Sequence, residues 1–247
     1  MSRILVPLPD HDFDTTEVSV PWKILSELGH EIFFATENAN RPACDPRLLS
    51  GVVFGQLGAE AEPKKFYAEL EQDPKFGAPI AWNAIAPKDF DALILPGGHA
   101  PGMRQYLGSE VLQGKISSFW NLERPVAAIC HGVLVLARSL DEKTGKSVLA
   151  SSRTTCLPKY MEQTAYFLTA WKLGKYYRTY PEYVEDEVKG FLTNAETQFV
   201  RGPRNLTKKG TAADDTGAFV VEDGRYVSAR WPGDAYLFAK KLAERLK

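Results

Sequence analysis

The chain has 247 residues, of which 44% are hydrophobic and 25% are charged, and these proportions exclude a wholly disordered, collagen-like or coiled-coil protein. Thirty Lys and Arg against 31 Asp and Glu leave a net charge of −1, which gives no support to a nucleic-acid partner or an anionic membrane surface. No apolar run approaches the ~18 residues of a membrane span, and the first residues lack the apolar core of a signal peptide. We therefore expect a cytoplasmic protein that binds neither nucleic acid nor membrane.

The number and spacing of the cysteines and histidines indicate whether the protein has disulfide bonds or a metal site. Cys44, Cys130 and Cys156 show no CxxC spacing and cannot all pair within one chain, which is typical of free thiols in a reducing compartment. The four histidines are dispersed and lack HxxH spacing. The sequence therefore predicts no metal site and no cofactor.

The first predicted elements form a strand–helix–strand unit. Residues Arg3 to Pro7 predict a short buried strand, and residues Glu31 to Thr36 predict a second one. Between them, apolar residues recur at helical spacing from Val18 to Leu28, with Thr15 or Thr16 as the N-cap. This unit is the beginning of a parallel sheet.

Residues 37–90 are less regular and rich in Pro and Gly, apart from a short helix predicted over Phe66 to Leu70. Such a stretch is longer than a simple connection between two strands requires. We interpret it as an inserted wall or cap element over a pocket.

The pattern then returns to buried strands. Asp91 to Leu95 predicts a third strand, followed by a helix from Ser109 to Leu122 with Val111 among the residues of its buried face. Pro125 to Ile129 is short and continuously apolar, as expected of a parallel strand that is covered on both faces.

The remaining elements complete the prediction of the fold. They are a short strand near Lys146 to Ser151, a helix from Pro158 to Leu173, a hairpin with an Asp223-Gly224 turn, and a closing helix from Pro232 to Leu246. The alternation of strands and helices predicts one α/β domain over residues 1–247. Its central sheet should be mostly parallel, with helices on both faces.

The most informative residue is Cys130, which stands where the predicted strand Pro125 to Ile129 passes into a helical run. Ala128 and Gly132 flank it at two residues on each side, which is the small-x-nucleophile-x-small pattern of a nucleophile elbow. The N-terminus of the following helix favours the thiolate form of a cysteine. A lone cysteine after an apolar strand is usually a core residue, but the small neighbours and the adjacent His131 favour a reactive thiol.

Two further segments are candidate partners of this thiol. Gly97, Gly98 and His99 follow the third strand, and glycines at a strand end can offer backbone N–H groups to an anion. Beside an elbow, we interpret Gly98 and His131 as oxyanion-hole donors. Glu17 lies at the start of the first helix, where an acid usually only complements the helix dipole.

These three segments, in this order and separation, resemble the ThiJ/PfpI superfamily, which is related to class I glutamine amidotransferases. The matching residues are Glu17, Pro96-Gly97-Gly98-His99 and Ala128-Ile129-Cys130-His131-Gly132, and the resemblance covers most of residues 1–150. The chain length and the insert at residues 37–90 resemble the larger branch, which includes cofactor-independent glyoxalase III and stress-linked chaperones.

The resemblance implies roles for these residues. Cys130 would be the nucleophile, and Glu17 would be protonated and hydrogen-bonded to its sulfur. His131 would be the base, oriented by an acid, for which the best match in this sequence is Glu162. The resemblance also implies a homodimer. No histidine follows residue 131, which argues against glutaminase activity because family amidotransferases use a His-x-Glu pair near the C-terminus.

Three functions remain open on this reasoning. The first is a glyoxalase III-like enzyme that converts methylglyoxal to lactate without cofactor, through attack of Cys130 on the aldehyde. The second is an amidase, peptidase or deglycase that uses the same thiol on an acyl substrate. The third is a redox sensor or holdase chaperone with no catalytic role.

The remaining cysteines and several aromatic residues have weaker readings. Cys44 lies in a Pro-flanked polar loop and is interpreted as incidental, whereas Cys156 is interpreted as a core residue. Four aromatic residues in the C-terminal half are more typical of core packing than of a cage around a ligand, but they are candidate walls of a pocket. They are Trp171, Tyr176, Tyr177 and Tyr180.

Overall fold

Strands and helices alternate in the computed structural model of the chain, which describes residues 1–53 and 57–246. Its strands are β1 (Arg3–Pro7), β2 (His11–Phe13), β3 (Glu31–Thr36), β4 (Ala43–Cys44), β5 (Ile80–Ala81), β6 (Ala92–Leu95), β7 (Val126–Ile129), β8 (Val220–Asp223) and β9 (Tyr226–Ala229). Its helices are α1 (Thr15–Glu27), α2 (Pro46–Ser50), α3 (Ala61–Leu70), α4 (Pro74–Gly77), α5 (Met103–Leu107), α6 (Glu110–Trp120), α7 (Val133–Arg138), α8 (Lys159–Leu173), α9 (Val184–Phe191), α10 (Ala195–Gln198) and α11 (Ala235–Ala243).

The central sheet of the described residues has seven strands in the order β5-β3-β1-β6-β7-β9-β8. Every neighbouring pair is parallel except β8 and β9, which form the predicted antiparallel hairpin at one edge. The central strands β6 and β7 are buried along their whole length, because apolar side chains on both of their faces are covered by helices. The predicted α/β fold with a mostly parallel sheet is confirmed.

Helices cover this sheet in two groups. In one group, α1 packs against α3 and α11, and α11 lies on β7 and β9. In the other, α6 packs against α7, and α7 contacts α9 and β7. These contacts bury the apolar side of each helix and form one continuous core around the strands.

The order of the strands determines where a site can form. From β1 the chain builds outward to β3 and β5, and then returns to place β6 on the opposite side of β1. The connections at the carboxyl ends of β1 and β6 therefore diverge, and open α/β sheets bind ligands in the crevice that this divergence creates. The loop before α1 and the loop after β6 meet at this crevice, where the N–H of Asp14 donates to the carbonyl of Gly97 at 2.9 Å.

Two details of the helices differ from the sequence prediction. The N-cap of α1 is Asp14 rather than Thr15 or Thr16, because its carboxylate accepts the N–H groups of Thr16 at 2.8 Å and Glu17 at 3.1 Å. In α6, Val111 is 53% exposed instead of buried. The buried face of α6 begins one position later, and it comprises Leu112, Ile116, Ser117 and Phe119.

The predicted strand near Lys146 to Ser151 is wrong. This stretch forms turns, with an isolated antiparallel bridge between Leu140 and Ser147. The physical reason is local, because the Asp141 carboxylate accepts backbone N–H groups of the next residues and closes the chain into a loop. The closing helix is also shorter than predicted, since α11 is flanked by 3-10 turns at Pro232–Asp234 and Glu244–Leu246.

Candidate active site

Cys130 occupies a sharp turn between β7 and the 3-10 turn that leads into α7. Its φ angle is +58°, a left-handed conformation that side-chain-bearing residues adopt only under constraint. A Cβ at Gly132 would lie 2.1 Å from the carbonyl oxygen of Leu95, so only glycine allows this turn to approach β6. The backbone therefore has the strained strand-to-helix geometry that the small residues around Cys130 predict.

Glu17 is fully buried and reaches this turn from the first turn of α1. Its Oε2 accepts the backbone N–H of Gly97 at 2.8 Å, and its Oε1 is buried without a hydrogen-bond partner among the described residues. Burial, followed by the nearby Asp14 carboxyl group, raises the pKa of Glu17 well above its ordinary value. Burial therefore favours the protonated form of Glu17 next to the thiol.

His131 lies beside the thiol with its Nδ1 atom 3.5 Å from the Cys130 Sγ. On the other side of the ring, Nε2 is 3.4 Å from the hydroxyl of the buried Thr179. That hydroxyl already donates its only proton to the carbonyl oxygen of His99 at 2.7 Å, so it can only accept from His131. The proton of the neutral imidazole must then be on Nε2, and the lone pair of Nδ1 faces the thiol.

The electrostatics of this pair differ from the sequence expectation of a resting thiolate. Burial raises the pKa of the Cys130 thiol, and the carboxyl groups of Glu17 and Asp14 act in the same direction. Burial also lowers the pKa of His131 well below its ordinary value. These effects on the two pKa values outweigh the preference for thiolate that the N-terminus of the short helix α7 provides. The resting site therefore contains a neutral thiol next to a neutral base.

The loop after β6 surrounds the thiol closely. A Cβ at Gly97 would lie 2.7 Å from the backbone nitrogen of His131 and 2.9 Å from the Cβ of Cys130. At Gly98, a Cβ would lie 2.7 Å from the carbonyl oxygen of Asp12. Both glycines therefore allow backbone approaches that no other residue permits, and the N–H of Gly97 is already used by Glu17.

Glu162 is not placed at His131, contrary to the sequence interpretation. It is fully buried in the first turn of α8, where one oxygen pairs with Arg178 at 2.6 Å and the other accepts the N–H of Val184 at 3.0 Å. The position next to the His131 ring is occupied by Thr179 instead. No sequence motif distinguishes Thr179, since its contact depends on how a distant loop returns to the sheet edge.

A cavity of about 240 Å³ adjoins this cluster at His99, which is one of its lining residues. Its polar wall includes Asp14, Thr16, His99 and Tyr177, while most of the remaining wall is apolar. Part of that apolar wall comes from the segment predicted to be a wall or cap, through Leu48, Val52, Leu57 and Ala59. Cys130 is only 1% exposed and is not among the residues that line the cavity, whereas His99 lines the cavity and also lies within 4.8 Å of the Cys130 sulfur.

The remaining candidate residues have mainly structural positions. Cys44 is buried in β4 rather than in a polar loop, and burial raises its pKa to about 11. Cys156 is fully buried, in agreement with a core role. Of the four aromatic candidates, Tyr177 lines the cavity and donates to Asp45 at 2.7 Å, whereas Trp171 is 65% exposed.

One further arrangement concerns ligands for a metal ion. The side chains of His99, Cys130 and His131 each offer a donor atom, and these atoms all lie within 4.8 Å of one another. The two histidines are far apart in the sequence, which is why their spacing gave no indication of this group.

None of the helices in residues 1–53 and 57–246 is long and apolar enough to cross a membrane.

The fold and the site together define an α/β protein with a cysteine at a nucleophile elbow. A sequence model described as ThiJ/PfpI family-like matches residues 8–203. The chain belongs to the ThiJ/PfpI family, as the motifs around Glu17, Gly97 and Cys130 predict.

Relatives of known name align over nearly the whole chain. A deglycase of Pyrococcus abyssi is 26% identical over 99% of this chain and 99% of the relative. An uncharacterised protein of Schizosaccharomyces pombe is 26% identical over 97% of this chain and 82% of the relative.

Solved structures show the same fold. The glyoxalase III of Candida albicans superimposes with a TM-score of 0.71 at 19% identity, covering 99% of this chain and 97% of that structure. The rapid encystment protein of Francisella tularensis gives a TM-score of 0.74 at 18% identity over the full length of both chains.

Proposed function

We propose that this protein is a cysteine-dependent enzyme that acts on small reactive carbonyl compounds without a cofactor, and that it converts methylglyoxal to lactate. The single observation that carries this proposal is the 3.5 Å contact between the Cys130 Sγ and the Nδ1 of His131. Such a contact pairs a nucleophile with a base at the distance that proton transfer requires.

The first step is addition of the thiol to the aldehyde carbon. His131 takes the proton from the Cys130 sulfur while the sulfur forms a bond to carbon, and the carbonyl oxygen gains the electron pair. Backbone N–H groups of Gly98 and His131 would hold that oxygen, and His131 then passes its proton to it, which completes the hemithioacetal and leaves His131 neutral.

The second step moves hydrogen between the two adjacent carbons. His131 removes the proton from the former aldehyde carbon while Glu17 gives a proton to the neighbouring carbonyl oxygen, which forms an enediol. The proton on His131 then passes to the neighbouring carbon, and the hydroxyl proton of the former aldehyde carbon returns to Glu17, which gives a thioester of lactate. Water then breaks the bond between carbon and sulfur, releasing lactate and the free thiol. The sum is one methylglyoxal and one water converted to one lactate, with no external oxidant or reductant.

Substrate access requires movement of side chains, because Cys130 is 1% exposed and does not line the cavity. His99 lines the cavity and packs edge-on against the His131 ring, with the ring centroids 4.7 Å apart. A rotation of His99 would join the cavity to the sulfur. The cavity volume of about 240 Å³ is sufficient for a small α-oxoaldehyde.

Known proteins support the chemical class of this proposal. Deglycases are among the relatives that align over most of the chain, and a glyoxalase III has the same fold. A Cys-dependent deglycase or other hydrolase is the second candidate, because the same thiol, base and oxyanion donors serve acyl transfer.

The test is formation of lactate from methylglyoxal by the purified protein in the absence of glutathione and metal. Substitution Cys130→Ala removes the nucleophile and should abolish the activity, by at least about 10³-fold. Cys44→Ala is the matched control, since Cys44 lies in β4 and is not among the residues in contact with Cys130. Full activity of Cys130→Ala would overturn the proposed mechanism.

A substrate panel separates the two candidates. Methylglyoxal, glycated amino acids and simple amides would be offered to the protein and to Cys130→Ala in parallel. Turnover of amides or glycated amines alone would replace the glyoxalase assignment with a hydrolase. The homodimer and the cytoplasmic location remain predictions, which sedimentation and cell fractionation would test.

A further inference from the structure

Three soft or borderline ligands meet beside the cavity wall to which His99 contributes. The Cys130 Sγ, one nitrogen of His99 and one nitrogen of His131 lie within 4.8 Å of one another. Two of these atoms, the Cys130 Sγ and the Nδ1 of His131, are in direct contact at 3.5 Å. Zn²⁺ bonds of 2.0–2.3 Å to nitrogen and sulfur place tetrahedral ligands roughly 3.3–3.8 Å apart, so small side-chain rotations bring this group to that spacing.

His99 has an unused donor atom at this point. Its Nε2 is buried and has no hydrogen-bond partner among the described residues. Buried polar atoms normally have a partner, and an exception calls for an explanation such as a bound ion or water. The ring of His99 packs edge-on against that of His131, so a cation bound to His131 would lie within reach of this nitrogen.

The surroundings already hold both histidines in place. The Thr179 hydroxyl contacts the Nε2 of His131 and donates to the backbone carbonyl of His99. Metal-binding histidines usually have their second nitrogen held by such an outer contact, which leaves the other nitrogen free to coordinate.

We propose that His99, Cys130 and His131 form a binding site for a thiophilic divalent cation of the Zn²⁺ type, with water as the fourth ligand. On binding, the S–H bond breaks and its proton passes to solvent, while bonds form from the cation to sulfur and to the two nitrogens, which replace water ligands. An occupied site has no free nucleophile. The cation is therefore a reversible inhibitor of any Cys130 chemistry, whichever substrate that chemistry uses.

The test uses Co²⁺ as an optical probe of the purified full chain. One equivalent should produce a near-ultraviolet thiolate-to-cobalt charge-transfer band and tetrahedral visible bands, and Zn²⁺ should displace both. Cys130→Ser should remove the charge-transfer band, and His99→Asn should weaken binding by at least about tenfold. The matched controls Cys44→Ala and His11→Asn should bind Co²⁺ with unchanged affinity.

A second measurement uses only the unmodified protein, so it does not require that any variant folds. Zn²⁺ should protect Cys130 of the unmodified protein from alkylation, as mapped by peptide mass spectrometry, and a chelator should restore the reactivity. The proposal is overturned if neither the band nor the protection appears at equimolar metal. It is equally overturned if the band persists in Cys130→Ser or disappears in Cys44→Ala.

Discussion

The region around α1 and the region around α8 each place a fully buried glutamate in the first turn of a helix. Glu17 faces a thiol and a backbone N–H, with no cation among its described contacts. Glu162 instead pairs with Arg178 at 2.6 Å and also accepts the N–H of Val184. Burial raises the pKa of both carboxyl groups, but a cation and a backbone N–H oppose this effect at Glu162, whereas Glu17 has no cation among its described contacts.

A third glutamate extends this comparison. Glu185, in the first turn of α9, is also buried, but Arg201 and Lys189 both pair with it and the N–H of Lys159 donates to it. Burial would raise the pKa of Glu185, but these partners lower it to about 2. The chemistry of a buried carboxyl group in this protein depends on the charges that surround it.

The largest effect is expected at Glu17. Glu17→Gln keeps the shape and the acceptor for the Gly97 N–H but cannot transfer a proton. Because burial raises the pKa of Glu17 and the amide keeps the acceptor, the free energy of unfolding should change by less than about 1 kcal/mol. The kcat for lactate formation should fall on the order of 10²-fold. Kinetics and thermal unfolding of the same preparation check both, and unchanged kcat would show that Glu17 transfers no proton.

Glu162→Gln should have the opposite profile. It leaves Arg178, which is 16% exposed, without its carboxylate partner, and should lower the free energy of unfolding by about 3 kcal/mol. The kcat per folded molecule should remain close to that of the unmodified protein, because Glu162 does not contact His131 in the structure. Urea unfolding with active-site titration measures both, and a large loss of kcat at full stability would restore Glu162 as the orienting acid.

Thr179→Val tests how His131 is held. The substitution keeps the shape but removes the hydroxyl that accepts from Nε2 and donates to the His99 carbonyl. Loss of this contact should lower kcat about tenfold, with KM nearly unchanged, and Thr179→Ser should restore the rate. A Ser variant as slow as the Val variant would indicate a role in packing rather than in positioning.

The smallest effect concerns acid stability through Glu185. Its pKa in the folded protein, about 2, lies below the ordinary 4.5, so its ionised form stabilises the fold above pH 4.5. That contribution is lost as the pH falls from about 4.5 to about 2. Because Arg201 is half-exposed, solvent screening limits it to about 1–2 kcal/mol. Glu185→Gln should flatten this part of the stability curve, and an unchanged curve would contradict the assignment.

The local sequence pattern predicted most of the fold and the centre of the site. Short apolar runs gave β1, β3, β6 and β7, and the small residues around Cys130 gave the strained turn, because these features depend on neighbours in the chain. The N-cap was missed at Asp14, although Asp14 and Glu17 have the spacing of a capping pair. Their side chains are used differently, since Glu17 turns toward Gly97 instead of back to the cap.

The sequence alone determined the parallel sheet, the elbow and the identity of the thiol, since strand burial and tight turns are encoded over a few consecutive residues. Only the tertiary structure decided that Thr179 holds the base, that Glu162 pairs with Arg178, and that His99 joins Cys130 and His131. Each of these contacts joins elements separated along the chain. Such contacts depend on how the strands are ordered and how the long C-terminal loops return over the sheet, which no local pattern specifies.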